Sequence, residues 1–318
     1  MATPHKTKQY LLAFAKVLVL VITFGYIFYR LRANQNLDFS EFAHSIYSKG
    51  YVAGYFLLFL ILMASLNWIL EILKWKHLAS TIEKIDFQTA LKQSLAALTV
   101  SLATPNRIGD YGAKALFFEG RNRKKVLLLN FYSNANQLLA TVVFGIIGLS
   151  YFLWKFEVVY SLNTLILIGA GIIFLMVLGY IFKERELIFI KGFSFARISQ
   201  IFCEYPSNLK LKIAGYSILR YVIFSGMFFC LLLFFGAEIE FSLAMALIFA
   251  MYLLVSIVPT IFVFDVVIRG GVSVWLFSFA GISEFTVLST VLLMWLLNFV
   301  IPSFVGSYFV LAYQPNRQ

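Results

Sequence analysis

Charge is what this sequence has least of: 13% of its 318 residues are Asp, Glu, Lys or Arg, while 61% are apolar. A soluble domain carries about 25% charged residues and is about half apolar, so the chain is read instead as a polytopic helical membrane protein. Cysteine is nearly missing. Cys203 and Cys230 lie far apart with no metal-type spacing, which argues against a disulfide framework and a zinc site. Histidine is confined to His5, His44 and His77, all in predicted loops or span ends. With no Gly-rich nucleotide loop, Cys/His pair or acidic pair, an enzyme finds little support, and no metal or organic cofactor is expected. Acids are outnumbered 15 to 26, a net charge of +11. The bases fall in short clusters between apolar runs, which points to anionic lipid head groups and not to nucleic acid. No signal peptide is expected, because the run from Tyr10 to Tyr29 is longer than a signal-peptide core and lacks a small-residue cleavage site. It is read as a retained first span.

What is there is a series of apolar runs. A crossing needs about 20 residues to traverse about 30 Å, and runs at about 10–29, 51–73, 126–154, 160–182, 211–235 and 285–312 meet this. Two more pieces, 88–119 and 241–281, are each interrupted at a proline. Around these breaks the chain repeats itself. At an offset of 155 Val100-Ser101-Leu102 falls on Val255-Ser256-Ile257, Asp110 on Asp265 and Lys114 on Arg269. At 154, Ile85-Asp86-Phe87 falls on Ile239-Glu240-Phe241 and Pro105 on Pro259. The reading is an all-α protein with about six spanning helices and two re-entrant broken-helix hairpins in inverted repeats. Repeat 1 covers about 51–154 and repeat 2 about 211–312 of a single transmembrane domain, 1–318, with a linker at about 183–210.

The positive-inside rule places Lys6, Lys8, Lys74, Lys76, the cluster Arg121 to Lys125 and the loop bases from Lys183 to Lys212 in the cytoplasm, with both termini, in a plasma (inner) membrane. Within 186–205, Phe195, Ile198, Phe202 and Tyr205 recur at helical spacing, which fits an amphipathic interfacial helix or a plain connector. Ser80-Thr81-Ile82-Glu83 has capping-box form and is expected to start the helix that leads into the first hairpin.

Charges inside membrane helices need a reason. Asp110 with Lys114, and Asp265 with Arg269, are i, i+4 pairs with the acid first, the favourable order. They serve either as structural ion pairs or as part of a binding site. Arg107 has no acid of its own at helical spacing and stands beside Gly109 at a half-helix start, an arrangement suited to an anion or phosphate. Arg269, next to Gly270-Gly271, suits the same role from the other side. Asn130, Asn134, Gln137 and Thr141 line one helix face, for packing or for a hydrated groove. Arg220, alone in its span, either snorkels or neutralises an aspartate. The candidate substrate-binding residues are thus Arg107, Asp110, Lys114, Asn134, Gln137, Arg220, Asp265 and Arg269; no catalytic residue is assigned.

The apolar arm ending in Pro105 with Gly109-Asp110 following, and the later Pro259 with Arg269-Gly270-Gly271, resemble the flippase-like family that includes the membrane region of lysylphosphatidylglycerol synthase. The likeness covers about residues 10–312. It implies a flippase or carrier that moves a phospholipid or lipid-linked molecule between leaflets. It also implies membrane lipids as partners and a separate biosynthetic enzyme, since some relatives carry a soluble aminoacyl-transferase domain that this chain, ending at Gln318, is expected to lack. The alternatives are a membrane-embedded lipid or glycosyl transferase and an envelope scaffold. This sequence departs from the resemblance at Asn134 and Gln137, where many relatives are charged, and in the second break.

Overall fold

The computed structural model describes residues 42, 44, 46–102, 104, 108–157, 186–187, 190–194, 202–257 and 265–313, without the side chains of 186–194 and 265–267. The expected spans at 10–29 and 160–182, Arg107 and both prolines at the breaks lie outside them. Two compact units are present, Met1–Phe152 with Ile213–Gln318, and Leu153–Lys212.

In the larger unit the chain turns apolar composition into long helices. Helix α1 (Gly50–Ala79) is followed by α2 (Phe87–Leu102), α3 (Ile108–Leu116) and α4 (Arg123–Lys155). After the second unit come α5 (Ser207–Phe234), α6 (Phe241–Ile257), α7 (Asp265–Ser278) and α8 (Glu284–Trp295). A π turn (Leu296–Val300) joins α8 to α9 (Ile301–Ala312). Among the described residues four helical segments are long and apolar enough to cross a membrane: α1, α4 with the turn before it, α5, and α8 through α9. Their outer faces carry exposed Leu58, Leu62, Leu139, Ile147, Val222 and Phe304, as a lipid contact requires.

The short helices explain the breaks. Helices α2 and α3 have 16 and 9 residues, about 24 and 14 Å at 1.5 Å each, short of a crossing. At their junction the Gly109 N–H donates to Thr104 Oγ1 at 2.8 Å, and a Cβ on Gly109 would sit 2.6 Å from the Val100 carbonyl oxygen. Only glycine lets α3 fold back this closely. Helices α6 and α7, 17 and 14 residues, repeat the arrangement, with Ser273 Oγ donating to Met251 Sδ at 2.8 Å between them.

The two hairpins open toward opposite ends. At one end the Tyr313 hydroxyl donates to the Leu116 carbonyl at 2.7 Å and Arg123 Nε to the Phe118 carbonyl at 3.3 Å. The end of α9, the end of α3 and the start of α4 therefore meet there. At the other end Phe56 stacks on Phe234 with centroids 4.5 Å apart, Phe152 meets Phe279 at 5.2 Å, and Thr286 Oγ1 donates to the Phe235 carbonyl at 3.1 Å. That end gathers the α1 start, the α5, α4 and α7 ends and the α8 start, so the repeats are inverted.

Each repeat also grips the other. Gly306 on α9 lies against Leu95 and Thr99 of α2, where the Thr99 hydroxyl donates to the Ser303 carbonyl at 3.0 Å. Gly145 and Gly148 on α4 lie against Leu253, Ala246, Phe249 and Ala250 of α6. A Cβ at Gly148 would sit 2.6 Å from Phe249 Cβ and 2.9 Å from Ala250 N. Gly148→Ala should therefore cost about 1–3 kcal/mol, read as a lower melting temperature in detergent. Gly54→Ala, with nothing within 4 Å, should not. Equal melting of both variants would show that α4 and α6 separate freely.

Three sequence expectations need correction. Ser80 does not cap α2: α1 runs on to Ala79 and uses Ser80 as its own C-cap. The cap of α2 is Asp86, whose Oδ1 accepts from the Thr89 N–H at 2.8 Å. Hydrogen bonds from the Thr89 side chain and backbone hold the Asp86 carboxyl below the usual carboxylate range. Lys74 is no loop base, because it is fully buried inside α1. In the smaller unit, Glu186–Leu187 (β1) pairs antiparallel with Ile190–Ser194 (β2), at the start of the segment read as an amphipathic helix or a plain connector. Gly192 within β2 disfavours a helix. Of the rest of that segment, 202–204 are helical and 195–201 lie outside the described residues.

Candidate functional site

Five charged side chains meet inside the helices. Glu71 and Lys74 come from α1, Asp110 and Lys114 from α3, and Arg220 from α5. Eight residues separate Glu71 from the end of α1 and seven separate Asn130 from the start of α4, about 10–12 Å of helix. The group thus lies within the length that crosses hydrocarbon. A lone charge at a helix centre costs about 2.5–3.5 kcal/mol on insertion scales, so the pairing around each one matters.

Glu71 is the hub. Its Oε2 lies 2.9 Å from Lys74 Nζ and pairs with Arg220 Nη1, and its Oε1 lies 3.9 Å from Lys114 Nζ. Asp110 has one cation among the described residues, with Oδ1 at 3.3 Å from Lys114 Nζ. Asn130 of α4 closes a triangle with that pair: its Nδ2 donates to Asp110 Oδ2 at 2.6 Å and its Oδ1 accepts from Lys114 at 2.8 Å. Lys114 also lies over the Trp75 ring, 4.7 Å from its centroid, while Trp75 Nε1 donates to Gln93 Oε1 at 2.7 Å.

Arg220 ties the cluster to the second repeat. Its Nε donates to the Asn67 carbonyl and to Asn67 Oδ1 at 3.2 and 3.1 Å, and Nη1 reaches Gln137 Oε1 at 3.4 Å. Gln137 Nε2 donates in turn to the Ser217 carbonyl at 3.3 Å. From Asn67 the network continues to the π turn, where Nδ2 donates to Asn298 Oδ1 at 3.1 Å. The turn has a covalent cause. Pro302 has no N–H for the carbonyl four residues back, Asn298, and Trp68 Nε1 takes that oxygen at 3.1 Å.

Of the sequence candidates, Asp110, Lys114, Gln137 and Arg220 come together. Asn134 is half-buried and takes no part in the network. Arg220 neither snorkels nor meets an aspartate; its acid is Glu71. Arg269 stands apart, lining a narrow cleft with Phe224, Phe228, Tyr252, Trp295 and Phe299. Asp265 begins α7, with its side chain outside the described residues, as is Arg107. Sequence reasoning missed Glu71, Lys74, Asn67 and Asn298. A signal for the first was present: Glu71 is the one acid between Tyr51 and Leu78, three residues before Lys74.

Residues 11–306 match the family described as Lysylphosphatidylglycerol synthase TM region. The chain belongs to that family. The match covers both hairpins, the whole cluster and the π turn, and makes this a membrane protein of lipid metabolism or transport. No curated protein and no solved structure matches this member of the lysylphosphatidylglycerol synthase membrane-region family.

The arrangement is unbalanced. Among the described residues of the cluster, three bases (Lys74, Lys114 and Arg220) face two acids (Glu71 and Asp110). Arg220 and Asp110 are its open edge, with side chains 18% and 19% exposed, while Lys74 is sealed at 0%. Arg220 Nη2 has no hydrogen-bond partner among the described residues. No group of His, Cys, Asp and Glu able to hold a metal occurs among them.

Proposed function

We propose that this protein carries a phospholipid or lipid-linked molecule between leaflets, as a flippase, and that its anionic head group passes the Glu71–Lys114–Arg220 cluster. The observation that carries the reading is a partly open, net positive cluster inside membrane helices, between two hairpins that open toward opposite ends. Broken helices at depth persist where protein or a watered cavity satisfies their freed backbone, the setting of transport pathways. Membership of a lipid-handling family points the same way. Arg107, Asp265 and Arg269 complete the path at the breaks, and the termini face the cytoplasm of a plasma (inner) membrane, on the grounds of residue type and loop charge alone.

The test is leaflet exchange. Purified protein in phosphatidylcholine vesicles doped with fluorescent phosphatidylglycerol should expose inner-leaflet label to a membrane-impermeant quencher faster than empty vesicles do. The recovered lipid should be chemically unchanged. A new lipid species would make the protein a transferase, and no exchange with no new species would leave a scaffold.

A further inference from the structure

We infer that the cluster selects a lipid head group bearing one net negative charge and excludes aminoacylated, cationic ones. The inference rests on the proposed lipid reading for the access of the head group to the cluster. It goes beyond that reading by naming which charge is admitted and which residue sets the count.

The argument is a charge count made pair by pair. Asp110 is matched by Lys114 at 3.3 Å, with Asn130 hydrogen-bonded to both. Glu71 is shared by Arg220 and by Lys74 at 2.9 Å, with Lys114 further off at 3.9 Å. Among the described residues one cation more than the acids can match is left over, in a place where water is scarce and charges are weakly screened. The neighbouring groups do not remove it, because Asn67, Asn130, Gln137 and Asn298 are neutral amides. The Trp75 ring face eases only Lys114.

The surplus is available where the cluster is open. Lys74 is sealed, so its charge acts through Glu71: the carboxylate it occupies is withdrawn in part from Arg220. Arg220 is partly exposed and presents Nη2 without a partner among the described residues. With Nε and Nη1 engaged by Asn67, Glu71 and Gln137, Nη2 is the nitrogen that can donate to a phosphodiester oxygen. A phosphatidylglycerol head group, with its single phosphodiester charge, completes neutrality. A lysyl ester of the same lipid adds two ammonium groups to a site that already has one cation too many, so the cluster repels it.

Delipidated protein in neutral detergent, titrated with phosphatidylglycerol, lysylphosphatidylglycerol and phosphatidylethanolamine and read by native mass spectrometry, tests this. Phosphatidylglycerol should be retained about tenfold or more over its lysyl ester, a gap of about 1.4 kcal/mol, with phosphatidylethanolamine between. Lys74→Met removes the surplus without touching the open edge, and should bring the first two lipids to within about threefold of each other. Soluble glycerol phosphate at equal concentration should not displace the lipid, since apolar helix faces hold the chains. Equal retention of the two lipids by wild type, no retention of any, or an unchanged preference in folded Lys74→Met would overturn the inference. Displacement by glycerol phosphate would overturn its lipid part. Selective binding without leaflet exchange would count against transport alone, and exchange without selectivity against the inference alone.

Discussion

Replacing Glu71 with glutamine should lower the stability of the solubilised protein more than any other single change in the cluster. Replacing Lys74, its partner at 2.9 Å, with methionine should leave stability unchanged or raise it by about 1 kcal/mol. The two ends of one ion pair differ because their other neighbours differ. Glu71→Gln strands both Lys74 and Arg220 without an acid, and breaking a buried pair in this way costs about 3–5 kcal/mol. Lys74→Met strands nothing, since Glu71 keeps Arg220 and Lys114, and methionine fills the space of the lysine stem. Melting in detergent and resistance to denaturant, measured together, give the comparison. A loss of similar size in both variants would mean that Lys74 and Glu71 act as an ordinary pair, and would remove the idea of a surplus cation.

Asp110 and Lys114 should behave in the opposite way, as a closed unit. Each single change, Asp110→Asn or Lys114→Gln, leaves a charge whose nearest opposite partner is gone, at about 3 kcal/mol. The double variant should lose less than the sum, by about 1–3 kcal/mol, because both charges go at once and Asn130 can hydrogen-bond the two new amides. Strictly additive losses in the cycle would show that the 3.3 Å contact contributes nothing. Lys114→Gln also cancels the net charge of the cluster and yet is expected to destabilise. What counts is which acid each base serves, not the total.

Much of the architecture was legible because its causes are local. A proline break and an Asp-x-x-x-base step recur in both halves, and helix lengths follow from apolar run lengths. The Asp110–Lys114 pair was legible for the same reason, as neighbours one turn apart. The hub was not. Arg220 meets Glu71 across 149 residues, and no spacing rule joins positions on different helices. Lys74 was misplaced because an apolar run was taken to end at 73, whereas burial of the ammonium against Glu71 lets α1 continue to Ala79. That extension consumes Ser80 as a C-cap and leaves Asp86 to start α2. The helical spacing that begins at Phe195 does not extend back over 186–194, where Leu187 pairs with Ile190 in a two-stranded sheet.

The mutual grip of the repeats has a consequence for how the protein is made. The face of α2 around Leu95 and Thr99 receives its cover from Ser303 and Gly306, with 204 residues between Thr99 and Ser303. At about 5–20 residues per second, the first hairpin waits roughly 10–40 s after synthesis for the helix that closes it. Throughout that interval a re-entrant arm too short to cross must be held by chaperone, insertase or lipid. Substitutions on α2 that face α9 should therefore show first as lost yield and degradation of nascent chains, before any defect in the finished protein.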